Sequence, residues 1–302
     1  MEFELLLADR INIIKDINKK FDLENNSYIS FSGGKDSTIL HYLIDLAMPN
    51  NNIPRVFINT GIEYNDIVAF VKELSKKDKR FVILKPKQKI KTVLEKYGYP
   101  FKSKEHSLIL SIYQNSGNTK TVSRYLDSNS DKLIKCPSFL KYQFSKDFNI
   151  KISDKCCSKL KKEPAKQWAK QNNKTITLTG MRKAEKGQRQ SISGCAIFDS
   201  EKRLVKFHPL LVVDDEFEKE FVKKYNIKLC KLYYNPFNFE RTGCKGCPFS
   251  IDLKRQLEIM AMYLQGEKKQ CEIIWKPIYD EYRKKHYRLD NTINLFDYNE
   301  RN

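Results

Sequence analysis

Residues 28–40 read YISFSGGKDSTIL, and this stretch determines the fold that we expect for the chain. The apolar run at 28–31 predicts a short buried strand, and the apolar spacing from residue 39 onward predicts a helix. Gly33 and Gly34 permit a sharp turn between the two elements and let a ligand approach the backbone closely. Free amide groups and the helix dipole favour an anion at the start of such a helix. The stretch therefore predicts a strand, a phosphate-binding turn and a helix.

The polar side chains of this turn also suit a phosphate. Ser32 and Ser37 carry hydroxyl groups, and Lys35 carries a compact positive charge. The loop is not a Walker A motif, because that motif needs a glycine five residues before Gly34, where Ile29 stands. The alternative interpretation is a tight strand–helix turn whose lysine is solvated.

The six residues SGGKDS resemble the PP-loop, SGGxDS, of the ATP pyrophosphatases and sulfonucleotide reductases. The resemblance implies an α/β fold with a doubly wound parallel sheet and a site for ATP or an adenylyl sulfate nucleotide. It implies nucleotide contacts from Ser32, Gly33, Gly34, Lys35, Asp36 and Ser37. Lys35 and Asp36 are also predicted to act in catalysis.

Strand and helix patterns alternate around this turn. Two further buried strands are predicted at 55–59 and 80–86, with a helix between them, and an amphipathic helix is predicted within 1–27. Strands that alternate with helices predict a parallel α/β sheet. Ligands of such sheets lie beyond the carboxyl ends of the strands. The turn at 32–37 and the residues after 59 both occupy such ends.

The segment after the second predicted strand resembles a DTGxE segment that lies near the nucleotide in the same proteins. Here it reads NTGIE, so Asn59 replaces the aspartate. The resemblance implies nucleotide contacts from Thr60, Gly61 and Glu63. For Glu63, an acidic residue at the N-terminus of a helix is the alternative.

A short strand is predicted at 176–178, and Gly180 and Arg182 follow its end. We predict that both residues contact the nucleotide. Arg182 and Arg189 could bind a sulfate, phosphate or pyrophosphate through forked hydrogen bonds, and both are predicted to act in catalysis. The alternative is a charged helix start in which Glu185 pairs with the arginine.

The composition indicates a folded protein of the cytoplasm. The 302 residues are 40% hydrophobic and carry a net charge of +19. No apolar run approaches the roughly 20 residues of a membrane span, and the sequence MEFELLLADR at the start lacks the basic region of a signal peptide. The positive charge favours tRNA or DNA as a partner. Abundant lysine and asparagine, as coded by AT-rich genes, are the alternative explanation.

Four motifs in the second half of the chain narrow the resemblance. CCxxLKxxP, GMRxxExxxR, HPL and RTGCxxCPF occur in this order between residues 156 and 249. Together they resemble the phosphoadenosine phosphosulfate reductase family. We expect a nucleotide-binding α/β domain at 1–225, with a helical insertion near 87–155, and a helical, cysteine-ligated region at 226–302.

The eight cysteines are not expected to form a disulfide framework in a reducing compartment. In iron–sulfur members of the family, a Cys-Cys pair and a distant Cys-x-x-Cys hold one cluster. The resemblance therefore implies that the metal ligands are Cys156, Cys157, Cys244 and Cys247. Four thiolates suit either a 4Fe-4S cluster or a tetrahedral Zn²⁺ ion. Adjacent cysteines are awkward ligands for a single Zn²⁺ ion, because neighbouring side chains diverge. A cluster spans more space, so the adjacent pair favours the cluster.

The end of the chain departs from the family pattern. Sulfonucleotide reductases carry a nucleophilic cysteine in a C-terminal ECGLH-like tail, whereas this chain ends LFDYNERN. Cys271 is the last cysteine, and the apolar spacing at Leu257, Met260, Leu264 and Ile274 predicts a single helix that buries it. A nucleophilic Cys271 with a pKa lowered by neighbouring lysines is the alternative.

We therefore expect an enzyme that adenylates an acceptor with ATP, releases pyrophosphate and then transfers sulfur, with Mg²⁺ bridging the phosphates. The acceptor would be tRNA or DNA, and a cysteine desulfurase would supply the sulfur. The first alternative is reduction of adenylyl sulfate or its 3′-phosphorylated form to sulfite, with a thioredoxin-like electron donor. The second alternative is non-catalytic nucleotide or nucleic-acid binding.

Overall fold

The computed structural model of the protein describes residues 2–130, 134–185 and 190–289. The strands within these residues are β1 (Ser27–Ser30), β2 (Arg55–Ile58), β3 (Phe81–Leu84), β4 (Ile176–Leu178), β5 (Ala196–Phe198) and β6 (Leu204–Phe207). They form one sheet in the order β3-β2-β1-β4-β6-β5. Neighbouring strands are parallel except for the antiparallel pair β5 and β6. The expected α/β fold with a parallel sheet is confirmed.

Helices precede, connect and follow the strands. They are α1 (Glu2–Phe21), α2 (Leu23–Asn26), α3 (Lys35–Ala47), α4 (Asn65–Lys77), α5 (Ile90–Tyr97), α6 (Lys104–Ser116), α7 (Lys120–Leu126), α8 (Glu163–Gln171), α9 (Asp215–Lys224), α10 (Leu253–Tyr263), α11 (Gln265–Ile274) and α12 (Lys276–Lys284). A π-helical turn at Ser158–Lys162 leads into α8. None of the described helices is both long and apolar enough to cross a membrane.

Most residues of the central strands β1 and β4 are buried. Ile29 of β1 lies opposite Leu178 of β4, and neither side chain is exposed. The chain runs from β1 outward to β2 and β3, and then returns to the other side of β1 as β4. This reversal creates a crevice beyond the carboxyl ends of β1 and β4, where open α/β sheets bind their ligands. Residues 32–37 and 179–182 are the loops that flank this crevice.

A buried polar network ties α3 to the amino end of β2. The fully buried Arg55 donates hydrogen bonds to Asp45 at 2.6 Å and to Nδ1 of His41 at 3.0 Å. Arg80 donates to Asp45 as well, at 2.8 Å. Burial, aided by the charge of Arg55, lowers the pKa of His41 to about 4, so the ring stays neutral and accepts the hydrogen bond.

The chain forms two compact units. The first comprises the described residues within 1–87 and 161–243 and contains the sheet β1 to β6, whereas the second comprises the described residues within 88–160 and 244–302. The second unit groups most of the segment expected as an insertion with the Cys-x-x-Cys residues. The boundary expected between residues 225 and 226 stays a prediction.

Candidate functional site

The turn after β1 has a backbone that only glycine adopts without strain. Gly33 has a φ of +75°, in the left-handed region. A Cβ atom there would lie 2.8 Å from the side chain of Ile67 and 3.0 Å from that of Val71, both on α4. Gly33 therefore lets the turn pack directly against the helix that follows β2.

Helix α3 begins immediately after this turn. Its first residue is Lys35, and Gly34 precedes it without a side-chain cap. Among the described residues, the backbone amides of Asp36 and Ser37 have no hydrogen-bond acceptor. These first-turn amides, together with the positive end of the helix dipole, form an anion-binding element.

The hydroxyl groups of the turn bind the turn itself. Ser37 Oγ donates to the carbonyl of Gly34 at 2.9 Å, and Thr38 Oγ1 donates to the same carbonyl at 2.9 Å. Ser32 Oγ accepts from the amide of Gly34 at 3.2 Å and lies 3.0 Å from Ser37 Oγ. The predicted residues Ser32 and Ser37 therefore fix the shape of the loop through their side chains.

A tyrosine from outside the motif lies on the start of α3. Tyr233 Oη accepts a hydrogen bond from the amide of Lys35 at 3.0 Å and lies 2.6 Å from Thr242 Oγ1. Burial raises the pKa of Tyr233 to about 12, so the phenol keeps its proton at neutral pH. Tyr233 can therefore accept from the loop and donate to Thr242 or to a ligand oxygen.

Charged side chains converge from three elements on the start of α3. Arg182, on the loop after β4, donates to Asp36 at 2.9 Å and to Asp215 at 2.9 Å. Its guanidinium also lies 3.0 Å from Glu218 Oε2, and the ammonium of Lys35 lies 2.7 Å from the same oxygen. The structure thus brings together three predicted residues, Lys35, Asp36 and Arg182, with two acids of α9.

Gly180 packs against the backbone of α3. A Cβ atom at this position would lie 2.7 Å from the carbonyl oxygen of Asp36 and 2.8 Å from its carbonyl carbon. The loop after β4 can therefore reach the start of α3 only because residue 180 has no side chain.

The predicted residues after β2 form a closed turn. Glu63 accepts from the amide of Thr60 at 2.8 Å and from its hydroxyl at 2.9 and 3.0 Å. Lys161 lies 3.1 Å from the same carboxylate. Gly61 has a φ of +83° with open space around it. Glu63 stabilises this turn, and nucleotide contacts from Thr60, Gly61 and Glu63 stay a prediction.

The second predicted arginine, Arg189, lies outside the described residues. Glu185, considered as a partner of Arg182, lies 2.7 Å from Arg241 and accepts a hydrogen bond from the backbone amide of Arg182 at 3.4 Å. The guanidinium of Arg182 instead pairs with three carboxylates at the start of α3, those of Asp36, Asp215 and Glu218.

The four predicted metal ligands lie in the second compact unit. A hydrogen bond with Cys157, together with burial, raises the pKa of Cys156 well above its usual range, and the thiols of Cys157, Cys247 and Cys244 raise it further. None of these four cysteines forms a disulfide. Within residues 2–130, 134–185 and 190–289, no group of three or more His, Cys, Asp or Glu is arranged to hold a metal ion. The metal site stays a prediction.

Cys271 is a core residue, as expected. Its side chain is fully buried, and burial raises the pKa of the thiol to about 12. The helix predicted around it is two helices, α10 and α11, separated at Leu264, whose φ of −136° interrupts the helical backbone.

Sequence reasoning missed two residues of the site. Glu218 stands in an acidic run that reads as a solvated helix start, yet its side chain is fully buried. Tyr233 is 198 residues from Lys35 in sequence, and no local pattern marks it as a partner of the loop. The available signal for its burial was helical spacing. Glu218 precedes the apolar Phe221 by three residues and follows Phe217, so the three residues lie near one face of the helix.

Comparison with protein families adds a match over most of the chain. The family model of the phosphoadenosine phosphosulfate reductase domain matches residues 26–135 and 138–250. An uncharacterized protein of Methanocaldococcus jannaschii is 24% identical over 283 residues, which are 92% of this chain and 55% of that protein. The chain therefore spans about half the length of this curated relative.

Three solved structures are similar to parts or most of the chain. Phosphoadenylyl-sulfate reductase from Candida auris, in a phosphate complex, is 16% identical, with 68% of this chain and 76% of that chain covered and a TM-score of 0.41. NH3-dependent NAD synthetase from Campylobacter jejuni is 11% identical, with 95% and 96% covered and a TM-score of 0.41. The U34-tRNA thiolase NcsA from Methanococcus maripaludis, with its 4Fe-4S cluster, is 14% identical, with 94% and 80% covered and a TM-score of 0.38.

Proposed function

The chain belongs to the phosphoadenosine phosphosulfate reductase domain family, and on this basis we propose that it is an enzyme that binds an adenine nucleotide at residues 32–37. We further propose that ATP is the nucleotide and that the reaction is adenylation of an acceptor followed by sulfur transfer. One observation carries the proposal. The first-turn amides of α3, which have no acceptor among the described residues, and the cations Lys35 and Arg182 lie together at the carboxyl ends of β1 and β4, where the sheet reverses its strand order.

In the adenylation step, an oxygen of the acceptor forms a bond to the α-phosphorus of ATP. The bond from that phosphorus to the bridging oxygen breaks, and pyrophosphate leaves with the electron pair. Lys35 and the amides of Asp36 and Ser37 would stabilise the charge that develops on the phosphate oxygens. Arg182, held by three carboxylates, would keep Asp36 and the loop after β4 in place around the phosphates.

Mg²⁺ fits this site as an ion carried by the substrate. The described residues provide no ready group of three acidic, histidine or cysteine ligands for a metal ion. Mg²⁺ usually keeps several waters and binds proteins through one or two carboxylates together with substrate phosphates. Asp36 is the acidic residue of the 32–37 loop that is proposed to hold the phosphates, and it would be the protein ligand.

A 4Fe-4S cluster fits the donor set of the second unit. The cluster would be held by Cys156, Cys157, Cys244 and Cys247, whose thiols influence one another and form no disulfide. When bound, it would supply an iron–sulfur centre whose potential depends on its surroundings. A single Zn²⁺ ion requires four ligands at about 2.0–2.3 Å in tetrahedral geometry, and the adjacent cysteine pair suits this less well.

The overall charge supports a nucleic acid as the acceptor. The chain carries 56 basic and 37 acidic residues, which leaves a net charge of +19. Phosphate contacts from lysine and arginine give nucleic-acid binding that weakens steeply as salt rises. The acceptor proposed here is therefore tRNA or DNA, with the sulfur supplied by a cysteine desulfurase.

Reduction of adenylyl sulfate to sulfite is the second candidate, because the matching family is named after a reductase. Such a reaction needs an accessible thiolate that attacks the sulfonate sulfur. Cys271 does not meet this requirement, since it is fully buried and burial raises its pKa to about 12. The burial of Cys271 supports adenylation as the first candidate.

The test combines nucleotide binding with product analysis. Lys35→Ala should weaken ATP binding by about 1.5–3 kcal/mol, the value of a charge-assisted hydrogen bond, whereas Lys72→Ala, an exposed lysine on α4, should leave binding unchanged. Pyrophosphate release from ATP that depends on added tRNA or DNA would support adenylation. Stoichiometric sulfite release from adenylyl sulfate, lost in Cys271→Ser, would reverse the ranking. Equal ATP affinity in wild type and Lys35→Ala would refute the nucleotide site.

A further inference from the structure

The positive charge of the chain is unevenly distributed, and one short segment of the first compact unit carries much of it. Residues 1–87 have 13 basic and 12 acidic side chains, whereas residues 161–183 have seven basic and one acidic. A lysine-rich composition alone would raise the net charge of every segment. The excess at 161–183 therefore needs an explanation of its own, and this segment contains α8.

Three exposed lysines form a row along α8, which we call the lysine ridge. Lys162 immediately precedes the helix, and Lys166 and Lys170 follow at intervals of four residues. Side chains at this spacing lie on one side of a helix, about 6 Å apart along its axis. Among the described residues, none of the three lysines has a carboxylate within ion-pair distance. Their charges are therefore available to an anionic partner.

The apolar side of α8 packs on the sheet. Ala169 is buried together with Tyr28 of β1 and Val56 of β2. The ring of Trp168 lies 5.6 Å from that of Tyr28 in an edge-to-face arrangement. Because these contacts hold the helix, the lysine ridge has a defined position on the surface of the first compact unit.

Contacts at the two ends of α8 relate the lysine ridge to the proposed nucleotide site. At the amino end, Lys161 lies 3.1 Å from the carboxylate of Glu63, which follows the carboxyl end of β2. Beyond the other end, the ammonium of Lys174 donates at 2.6 Å to the carbonyl of Asn25, which precedes β1. The ridge therefore runs from the edge of the sheet that carries residues 32–37 towards the opposite edge.

We propose that the lysine ridge binds the phosphate backbone of a folded RNA and places its unpaired nucleotides at the crevice where ATP is proposed to bind. This inference rests on the proposed adenylation of a nucleic acid, and it names the acceptor and its docking surface. Lysines in a row contact phosphates irrespective of base sequence. An acceptor oxygen must also enter the crevice. The loops of a folded RNA present unpaired nucleotides, whereas a DNA duplex must first release a nucleotide from its stack.

The experiment measures binding of a fluorescent RNA hairpin with an unpaired loop to the full chain, by anisotropy, at salt concentrations from about 50 to 200 mM. The ridge variant combines Lys162→Gln, Lys166→Gln and Lys170→Gln. Each lost phosphate contact reduces the slope of log K against log salt by about 1, so the slope should decrease in magnitude by about 2–3. Binding at the lowest salt concentration should weaken by about tenfold or more. ATP affinity should be unchanged, which also checks that the variant folds.

A matched control removes the same number of charges from another part of the same unit. It combines Lys72→Gln, Lys76→Gln and Lys79→Gln, three exposed lysines on α4 or directly after it. They belong to the segment whose basic and acidic side chains nearly balance. The control should bind the hairpin with the salt dependence of wild type.

The outcomes separate this inference from the function on which it rests. Equal slopes in wild type and the ridge variant, or equal losses in the ridge and control variants, would overturn the docking surface and leave the proposed function intact. Tighter binding of a DNA duplex of the same sequence would overturn the choice of RNA. Wild type that binds ATP but neither nucleic acid would overturn the acceptor as well, and wild type that binds no ATP would overturn the nucleotide site. Should the ridge variant not fold, Lys166→Gln alone must reduce the slope by about 1.

Discussion

Replacing Gly180 by alanine tests how closely the loop after β4 packs on the start of α3. The new Cβ would lie 2.7 Å from the carbonyl oxygen of Asp36, whereas ordinary contact begins at 3.4 Å. Because the atoms it meets are backbone atoms, no side chain can rotate away. The loop or the first turn of α3 must move by about 0.7 Å, a shift that overpacked sites accommodate only at a cost of about 1–3 kcal/mol.

The consequence for Gly180→Ala can be measured in two ways. At roughly 2–4 °C per kcal/mol for chains of this size or slightly smaller, we expect the melting temperature to fall by about 2–12 °C. Nucleotide affinity should fall as well, because the displaced backbone carries the proposed phosphate amides. Both effects can be followed by thermal unfolding monitored by circular dichroism and by nucleotide titration.

A matched glycine provides the control. Gly266 lies in α11, and a Cβ there would meet no atom within 4 Å. Gly266→Ala should be neutral or stabilising by up to about 1 kcal/mol, since alanine is the better helix former. If Gly180→Ala matched wild type in both stability and affinity, the close packing described here would be wrong.

Three further predictions concern other parts of the chain. Asp45→Ala should destabilise the protein by about 3 kcal/mol in urea unfolding, because it leaves a buried arginine without its carboxylate, and a change under about 1 kcal/mol would contradict this. Burial lowers the pKa of His41 and of His106 to about 4, whereas histidines of the unfolded chain have a pKa of about 6.5. As pH falls below about 6.5, the unfolded chain binds protons that the folded chain does not, which favours unfolding. The melting temperature should therefore fall between pH 6.5 and 5, less steeply in His106→Gln, and an unchanged slope in this variant would count against the assignment. Anaerobic purification should give about four irons per chain, lost in Cys156→Ser and kept in Cys195→Ser; one zinc per chain would favour zinc, and metal-free wild type would exclude both.

Local patterns were sufficient to predict β1, β2, β3 and β4, which are four of the five parallel strands of the sheet. The strands predicted at 55–59 and 176–178 correspond to β2 (Arg55–Ile58) and β4 (Ile176–Leu178). Each is a short apolar run that is bounded by turn residues, as buried parallel strands are. The edge pair β5 and β6 was not predicted, because Ala196–Phe198 is only three residues long and partly exposed, and Lys206 interrupts the apolar run of Leu204–Phe207.

The candidate site was only partly predictable because its residues come from distant segments. The loop at 32–37 is a local motif, so the glycines, Lys35 and Asp36 could be identified from their spacing. The packing role of Gly180 depends on the position of Asp36 across the crevice, and no spacing encodes it. In the same way, an acid in an amphipathic helix is predicted to be solvated, and only the presence of two cations around Glu218 explains its burial.

The charges of this protein act on two different scales. The chain as a whole is strongly positive, at +19, whereas Lys35 and Arg182 are surrounded by Asp36, Asp215 and Glu218. The proposed nucleotide site therefore owes little to the overall charge. It depends on oriented amides and on close ion pairs, both short-range effects that salt screens weakly. Binding of a nucleic acid by exposed lysines would be screened strongly. Raising the salt concentration should therefore abolish the response to tRNA or DNA while ATP still binds, because the two ligands depend on different sets of charges.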